Sequence, residues 1–493
     1  MHAEGYTPMG GFFGVVSEEE CIQDLFYGTD YHSHLGTRRG GLATDNGGFI
    51  RHIHDITNAQ FRSKFSDDLP RMRGRRGIGV ISDYEDQPLI IGSQLGVFSI
   101  VTVGLIQNVE ALARQACTER NVHFAEMAGG EMNPTEVVAT LISQGKTFTD
   151  GIRRAQEAIR GSCSMLLLTA DGLYAARDKY GRTPIALGRK PGAWAATLET
   201  CALPNLGYTL DRYLGPGEIV RLTTDGVEQM APPHDALQIC TFLWVYYGYP
   251  ASSYEGINVE TVRYRCGAAI ARRDAAQVDL VAGIPDSGTG HALGYANAAG
   301  TPLGRPFVKY TPTWPRSFMP QDQGTRDLVA RMKLILIGDL IRDKRLLFCD
   351  DSIVRGTQLK DTIQRLFKAG AKEVHMRPAC PPLIYGCPFL NFSRSKSELD
   401  LAARQAIAEL EGAVDASPTG YDDPDSEKYG RMVEGIRTRL NLTTLLYQRL
   451  DDLVEAVGLP KEKLCTYCWD GADPHGMACE ARRCAGEVVS GRS

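Results

Sequence analysis

The chain has 493 residues, 43% of them apolar and 23% charged, with a formal net charge of −5. That length and apolar content can bury two cores and predict two or three domains, and the mild acidity, with no Lys/Arg stripe interleaved with aromatics, argues against a nucleic-acid surface. No apolar run approaches the roughly 20 residues of a membrane span, and residues 1–20 lack a basic segment followed by an apolar one, so the expectation is a cytoplasmic protein.

Taken in chain order, apolar runs at Gly11–Val16, Leu89–Gly92, Gly96–Val103 and Met165–Leu168 read as strands, with helical runs near Val109–Cys117 and Pro134–Gln144. Short strands mixed with helices predict an α+β sandwich over residues 1–235, ending in the linker-like Ala231-Pro-Pro-His-Asp235. From residue 257, helices alternate with buried strands predicted at Val278–Ala282, Leu346–Cys349 and Glu373–Arg377, which argues for an α/β domain with a parallel sheet over residues 236–493. Asp415–Gly430, rich in Asp, Ser, Pro and Gly, reads as an exposed insertion.

The most informative stretch is Leu346-Leu-Phe-Cys-Asp-Asp-Ser-Ile-Val-Arg-Gly-Thr357. An apolar run ends in two carboxylates and a small, hydroxyl-bearing turn, at the end of a strand where open parallel sheets bind ligands. Ser352, Gly356 and Thr357 can offer backbone N–H groups and hydroxyls to a phosphate, with Leu359–Ala369 as the helix whose amino end favours the anion. Asp350 and Asp351 could hold vicinal ribose hydroxyls or carry Mg2+. The plainer alternative is a strand followed by a capped helix start, since Asp and Ser are common caps. Two adjacent carboxylates are more than a cap needs.

As a whole the string resembles the phosphoribosylpyrophosphate motif of glutamine phosphoribosylpyrophosphate amidotransferases. Ile284-Pro285-Asp286-Ser287-Gly288 with Ala292–Ala296 is similar to that family's pyrophosphate-side loop and following helix. Lys309, Arg316 to Phe318, Arg326 and Lys333 fall where the family has a basic loop that closes over substrate, although Tyr310-Thr-Pro-Thr-Trp-Pro-Arg316 departs from its usual spelling. Cys240–Tyr247 with Pro250 and Ser252 resembles the entrance to the transferase domain, and Arg177–Pro184 and Pro216–Val220 extend the likeness through the first half. The resemblance implies an Ntn-hydrolase-like sandwich joined to a type I phosphoribosyltransferase domain. It implies catalytic roles for Asp350, Asp351, Arg316 and Lys333, and substrate contacts from Asp286, Ser287, Ser352, Ile353, Val354, Arg355, Gly356, Thr357, Lys309 and Arg326. Ser287, Asp350 and Asp351 would hold Mg2+, and a homodimer or homotetramer is the implied assembly.

Thirteen cysteines are an odd count, too sparse in this length for a secreted disulfide scaffold. Cys465-Thr-Tyr-Cys468 is a C-x-x-C pair, which alone is compatible with zinc, a redox pair or chance, and Cys240 and Cys387 stand isolated upstream. One branch of the resembled family holds a four-iron four-sulfur cluster on cysteines at these four places, so the resemblance implies a 4Fe-4S cluster on Cys240, Cys387, Cys465 and Cys468, with zinc or free thiols as alternatives. Cys479 and Cys484 form a second pair that the family does not predict, read as surface thiols in preference to a second metal site.

The first domain breaks the family pattern. Amidotransferases of this type begin with a cysteine whose thiolate attacks glutamine while the free α-amino group acts as base. Here the strand reads Met9-Gly10-Gly11-Phe12-Phe13, with Gly10 at the nucleophile's place. His-Arg-Gly-Gln becomes His34-Leu35-Gly36-Thr37, the His-Arg loop that holds the glutamine carboxylate becomes Gly79-Val80-Ile81-Ser82, and the oxyanion Asn-Gly becomes Val103-Gly104. Loss of one oxyanion donor alone costs on the order of a hundredfold in rate. Cleavage before Cys21 would expose another N-terminal thiol but would remove the first strand, and Glu18–Ile22 reads as a helix start. Gly40–Thr44 and Gln87-Pro88 are retained, which predicts a preserved fold with an erased site.

The expected activity is therefore transfer of a phosphoribosyl group from phosphoribosylpyrophosphate to ammonia or another amine, giving 5-phosphoribosylamine for purine biosynthesis when the amine is ammonia. Glutamine hydrolysis would be lost, with a partner glutaminase as one source of ammonia. The alternative is a regulatory protein that binds phosphoribosylpyrophosphate or nucleotides and partners an active amidotransferase. The basic residues Arg316, Arg326 and Lys333 favour the enzyme, because a sensor has less need of them.

Overall fold

The computed structural model describes residues 10–83, 85–120, 123–124, 127–128, 131–309, 334–390, 398–414 and 416–477. Its first half is a sandwich of two antiparallel sheets. One has seven strands in the order Thr209–Tyr213, Ala186–Lys190, Ala193–Thr197, Gly11–Ser17, Arg76–Ser82, Arg39–Asp45 and Phe49–Asp55. The other has six, in the order Gly226–Ala231, Ile219–Thr223, Gly172–Ala176, Gly161–Thr169, Gly96–Ile106 and Leu89–Ser93.

Alternation along the strands builds the layers. Phe12 and Val16 point between the sheets with Val80, Val101, Val103, Leu166 and Leu168. Phe13 and Val15 point the other way, towards Leu25 and Phe26 of the helix Ile22–Asp30. On the second sheet, Phe98, Ile100, Met165 and Leu167 face outward under the helices Pro134–Ser143 and Phe148–Ala158. Period-two side chains thus bury both faces of each sheet, giving the α+β sandwich that the short apolar runs predict.

The second half is built on four parallel strands in the order Leu280–Gly283, Arg345–Asp350, Glu373–Pro378 and Thr444–Leu445. Helix Thr357–Lys368 buries Leu359, Thr362, Ile363 and Leu366, a one-sided spacing that lays it on the sheet. It starts two residues earlier than expected, with Gly356 (φ 77°) before it and no side-chain cap. Gly356 has no side chain with which to cap the first N–H groups of the helix.

Two expectations need correction. Gly79–Ser82, read as a loop, lies within the strand Arg76–Ser82 near the middle of the first sheet. The glycine there packs tightly: a Cβ on Gly79 would come within 2.0 Å of Thr29 Oγ1 on the adjoining helix. Asp415–Gly430 is not wholly an exposed insertion, because Glu427–Gly430 open the helix Glu427–Leu440 behind a Ser426 cap. Tyr421 in the same stretch is buried and donates to Glu411 Oε1 at 2.7 Å.

The two halves share one apolar core, in which Val103 and Leu168 of the sandwich join Trp244, Val262 and Trp469 of the second half. No helix among the described residues is long and apolar enough to cross a membrane.

Candidate functional site

The central parallel strand Arg345–Asp350 delivers Asp350 and Asp351 to the carboxyl edge of the sheet, at an open cleft. Ser287, Asp350, Asp351, Ser352, Ile353, Val354, Arg355, Gly356 and Thr357 all line it. Asp351 accepts the Ser287 hydroxyl at 2.5 Å and the Ser352 hydroxyl at 2.6 Å, while its own N–H donates to Asp350 Oδ1 at 3.0 Å. Both carboxylates are buried. Burial, together with the neighbouring Asp351 charge, pushes the Asp350 pKa well above the carboxylate range. Two adjacent buried carboxylates disfavour joint ionisation, which is the electrostatics of a site suited to a divalent ion. Ser287, Asp350 and Asp351 therefore fit Mg2+.

The other expected contacts divide three ways. Ile353 sinks its side chain into the core of the transferase half and leaves its backbone to the turn. Arg355 reaches Asp400 at 3.1 Å. Asp286 and Lys309 pair with each other at 2.7 Å, outside the residues that line the cleft. Arg316, Arg326 and Lys333, like Cys479 and Cys484, lie outside the described residues.

Sequence reasoning missed Tyr246, which lines the cleft from a single π turn, Leu243–Tyr247. Buried Arg263 fixes that turn by donating to the carbonyls of Trp244 at 3.0 Å, Tyr246 at 3.0 Å and Gly248 at 2.9 Å. The only signal was the aromatic run Trp244–Tyr247.

Cys240, Cys387, Cys465 and Cys468 also converge. Cys240 and Cys465 face each other in paired parallel strands, and hydrogen bonding joins the Cys387 and Cys468 thiols. Backbone N–H groups of Phe242 and Leu243 serve Cys240, that of Tyr467 serves Cys465, and that of Leu390 donates to Cys387 Sγ at 3.4 Å. The hydrogen bond from Cys468 pushes the Cys387 thiol down to about 7, while burial pushes Cys465 up to about 11. Crowded thiols with amide donors aimed at sulfur fit a four-thiolate metal group.

In the first domain, Gly10 sits at φ 79° and donates to the Leu35 carbonyl at 2.9 Å. A Cβ on Gly10 would lie 2.8 Å from the Ile81 carbonyl oxygen. Val103 is buried between the sheets. His34 faces Glu199 at 3.1 Å, and Glu199 also accepts the Ser252 hydroxyl and, at 2.7 Å, the Tyr254 hydroxyl. Cys21 is buried, and that burial pushes its thiol up to about 12, the opposite of an activated nucleophile.

Comparison with known proteins agrees with this geometry. A family described as "Glutamine amidotransferase domain" matches residues 75–204. The amidophosphoribosyltransferase of Mycobacterium tuberculosis is 30% identical over 479 residues, covering 94% of this chain and 86% of the relative. That of Bacillus subtilis is 29% identical over 432 residues, covering 85% and 88%. Among solved structures, glutamine phosphoribosylpyrophosphate amidotransferase from B. subtilis complexed with ADP and GMP superposes with a TM-score of 0.81 at 27% identity, over 94% of this chain and 97% of that one. The sandwich and the parallel sheet are thus the Ntn-hydrolase-like and phosphoribosyltransferase folds in series, and the chain belongs to the amidophosphoribosyltransferase family.

Proposed function

We propose that this protein transfers the phosphoribosyl group of phosphoribosylpyrophosphate to ammonia or another amine, and that it does not hydrolyse glutamine. The observation that carries the first part is the convergence of Asp350, Asp351 and Ser287 on a cleft floored by the uncapped start of helix Thr357–Lys368. Ser352 to Thr357 would take the 5′-phosphate through backbone N–H groups and hydroxyls. Asp350 and Asp351 would hold the ribose hydroxyls or, with Ser287, Mg2+, which supplies Lewis-acid stabilisation of the departing pyrophosphate. The anomeric C–O bond to pyrophosphate breaks, a C–N bond to the amine forms, and the amine nitrogen gives up a proton. Lys309, Arg316, Arg326 and Lys333 are the cations of this chain assigned to the pyrophosphate charge. With ammonia as acceptor the product is 5-phosphoribosylamine, the entry compound of purine biosynthesis.

Support for the second part is local. Gly10 offers no nucleophile in a backbone conformation that disfavours any side chain, and Val103 offers no oxyanion donor. The four cysteines are assigned to a 4Fe-4S cluster that staples the transferase half to its carboxyl-terminal segment.

The test is pyrophosphate release by anaerobically purified protein with phosphoribosylpyrophosphate and Mg2+. Turnover with ammonium salt at alkaline pH but not with glutamine is the expected result. Equal turnover with glutamine overturns the loss of hydrolysis, and tight substrate binding without turnover on any amine favours a sensor.

A further inference from the structure

Two side chains of the sandwich half reach the four-cysteine pocket, and the transfer reaction uses neither. Gln107 Nε2 donates to the Pro388 carbonyl, beside Cys387. Arg182 lies in the turn Arg177–Pro184, 1% exposed, with its guanidinium carbon 3.7 Å from the centroid of the Phe389 ring. That guanidinium donates to the Cys465 thiol, its charge also acts on Cys387, and its backbone carbonyl accepts the Cys240 N–H at 3.2 Å. Three of the four cysteines are thereby tied to one residue of the other half.

Among the described residues, Arg182 forms no side-chain ion pair with a carboxylate. Nη1 donates to the Gly161 carbonyl at a long 3.4 Å, and Nε has no hydrogen-bond partner. Asp178, the carboxylate of the same turn, accepts the Arg182 backbone N–H at 2.5 Å instead, and burial pushes its pKa up, with the Arg182 charge only partly offsetting that rise. A buried cation is costly unless an anion faces it. Four thiolates around a metal group are net negative, whether the metal is iron–sulfur or zinc. The segment that follows the C-x-x-C pair docks on the same turn, with His475 stacked on Tyr180 at 4.1 Å between centroids.

The geometry points to Arg182 as the built-in counter-ion of the four-cysteine metal site, so that the sandwich domain closes and charge-balances the metal pocket of its neighbour. This rests on the reading that Cys240, Cys387, Cys465 and Cys468 hold a metal group. It gives that domain a function independent of glutamine chemistry. Reduction potentials of such groups follow net charge, hydrogen bonds to sulfur and exposure, and Arg182 acts on all three.

The experiment compares wild type, Arg182→Met, Arg182→Lys and Gln107→Ala, purified anaerobically as full chains. The readouts are iron, sulfide and zinc content, the rate at which the visible absorbance bleaches in air, and the midpoint potential. Arg182→Met is expected to bleach several-fold faster and to shift the potential downward. Arg182→Lys restores most of the potential, which a purely structural role would not do, and Gln107→Ala gives a smaller acceleration with no shift in potential. If Arg182→Met folds and matches wild type in potential and bleaching, the counter-ion role is overturned. Should Arg182→Met fail to fold, Arg182→Lys carries the test: near-wild-type potential supports the role, and a downward shift with several-fold faster bleaching despite the retained charge overturns it. A wild type that binds zinc, released several-fold faster to a chelator from Arg182→Met, keeps the role while overturning iron–sulfur. A wild type without metal overturns both.

Discussion

Two buried carboxylate sites in this molecule are electrostatic opposites. In the sandwich, Glu199 is surrounded by protein donors from His34, Ser252, Tyr254 and the Tyr249 N–H. Burial raises its pKa, but hydrogen bonding from His34 and Ser252 outweighs that and leaves it below the ordinary value. In the transferase half, Asp350 borders an open cleft, and burial and its neighbour Asp351 drive its pKa the other way. A carboxylate satisfied by its own protein is structural, while a pair left in mutual repulsion at a cleft is poised for a cation or substrate. The family profile on residues 75–204 reports the fold that Glu199 helps to hold, and it does not reach Gly10 or His34.

The sharpest way to break this contrast is to neutralise the transferase pair. Asp350→Asn with Asp351→Asn is expected to lower pyrophosphate release by about a thousandfold, in line with the loss of more than one transition-state contact. Unfolding by urea should change little, or show a gain, because a buried carboxylate pair that disfavours joint ionisation has gone. A double variant that keeps its turnover would dismiss the cleft as the catalytic centre.

The sandwich site predicts acid sensitivity. His32 is fully buried behind Gly11, with Nδ1 on the Gly28 carbonyl side at 2.9 Å, and burial lowers its pKa from 6.5 to about 4. The folded form therefore resists the proton that the unfolded chain accepts. Stability from neutral His32 is complete above pH 6.5 and is lost as pH falls towards 4, by roughly 3 kcal/mol over that window. His291 in the transferase half, lowered by burial to about 3, acts in the same direction. Urea midpoints at stepped pH should thus fall below pH 6.5, and His32→Gln should flatten that slope; an unchanged slope would exclude His32 as its source.

The legible parts of the molecule were contiguous in the chain. Ser352 to Thr357 form one turn whose residue types already state an anion site, and the period-two runs around Phe12 and Val101 state a sandwich. What stayed hidden was long-range. Arg182 gains meaning only when it meets Phe389 and Cys465, and Arg263 only when it meets the carbonyls of Trp244 to Gly248. Gly79 was misread because the resemblance placed a glutamine-binding loop there, whereas here it lies within a strand and admits Thr29 of a helix against the sheet. Composition misled at Tyr421 for a related reason, since one buried ring anchors a segment of turn-forming residues.

Gly10→Cys, with residues 1–9 removed so that the α-amino group of residue 10 is free to act as base, tests the proposed loss of glutamine hydrolysis. The substitution must place a side chain against the Ile81 carbonyl, so it is expected to destabilise the fold by about 1–2 kcal/mol and to yield no glutamine hydrolysis. Ammonia release from glutamine by that variant would mean that the remaining pocket is still competent.

The smallest effect on stability is expected at Arg355, and it separates structure from binding within one residue. Its pair with Asp400 at 3.1 Å leaves the two side chains 31% and 34% exposed, a geometry in which solvent screens most of the attraction. Arg355→Gln should therefore shift the unfolding free energy by less than about 1 kcal/mol. Because Arg355 also lines the cleft, the same change should raise KM for phosphoribosylpyrophosphate by about tenfold, the cost of one charge-assisted hydrogen bond. Asp400→Asn removes the same pair from the other side and leaves the cation in place, so its KM should stay near wild type. If the two variants raise KM alike, Arg355 acts by holding Asp400 and its neighbours rather than by meeting substrate.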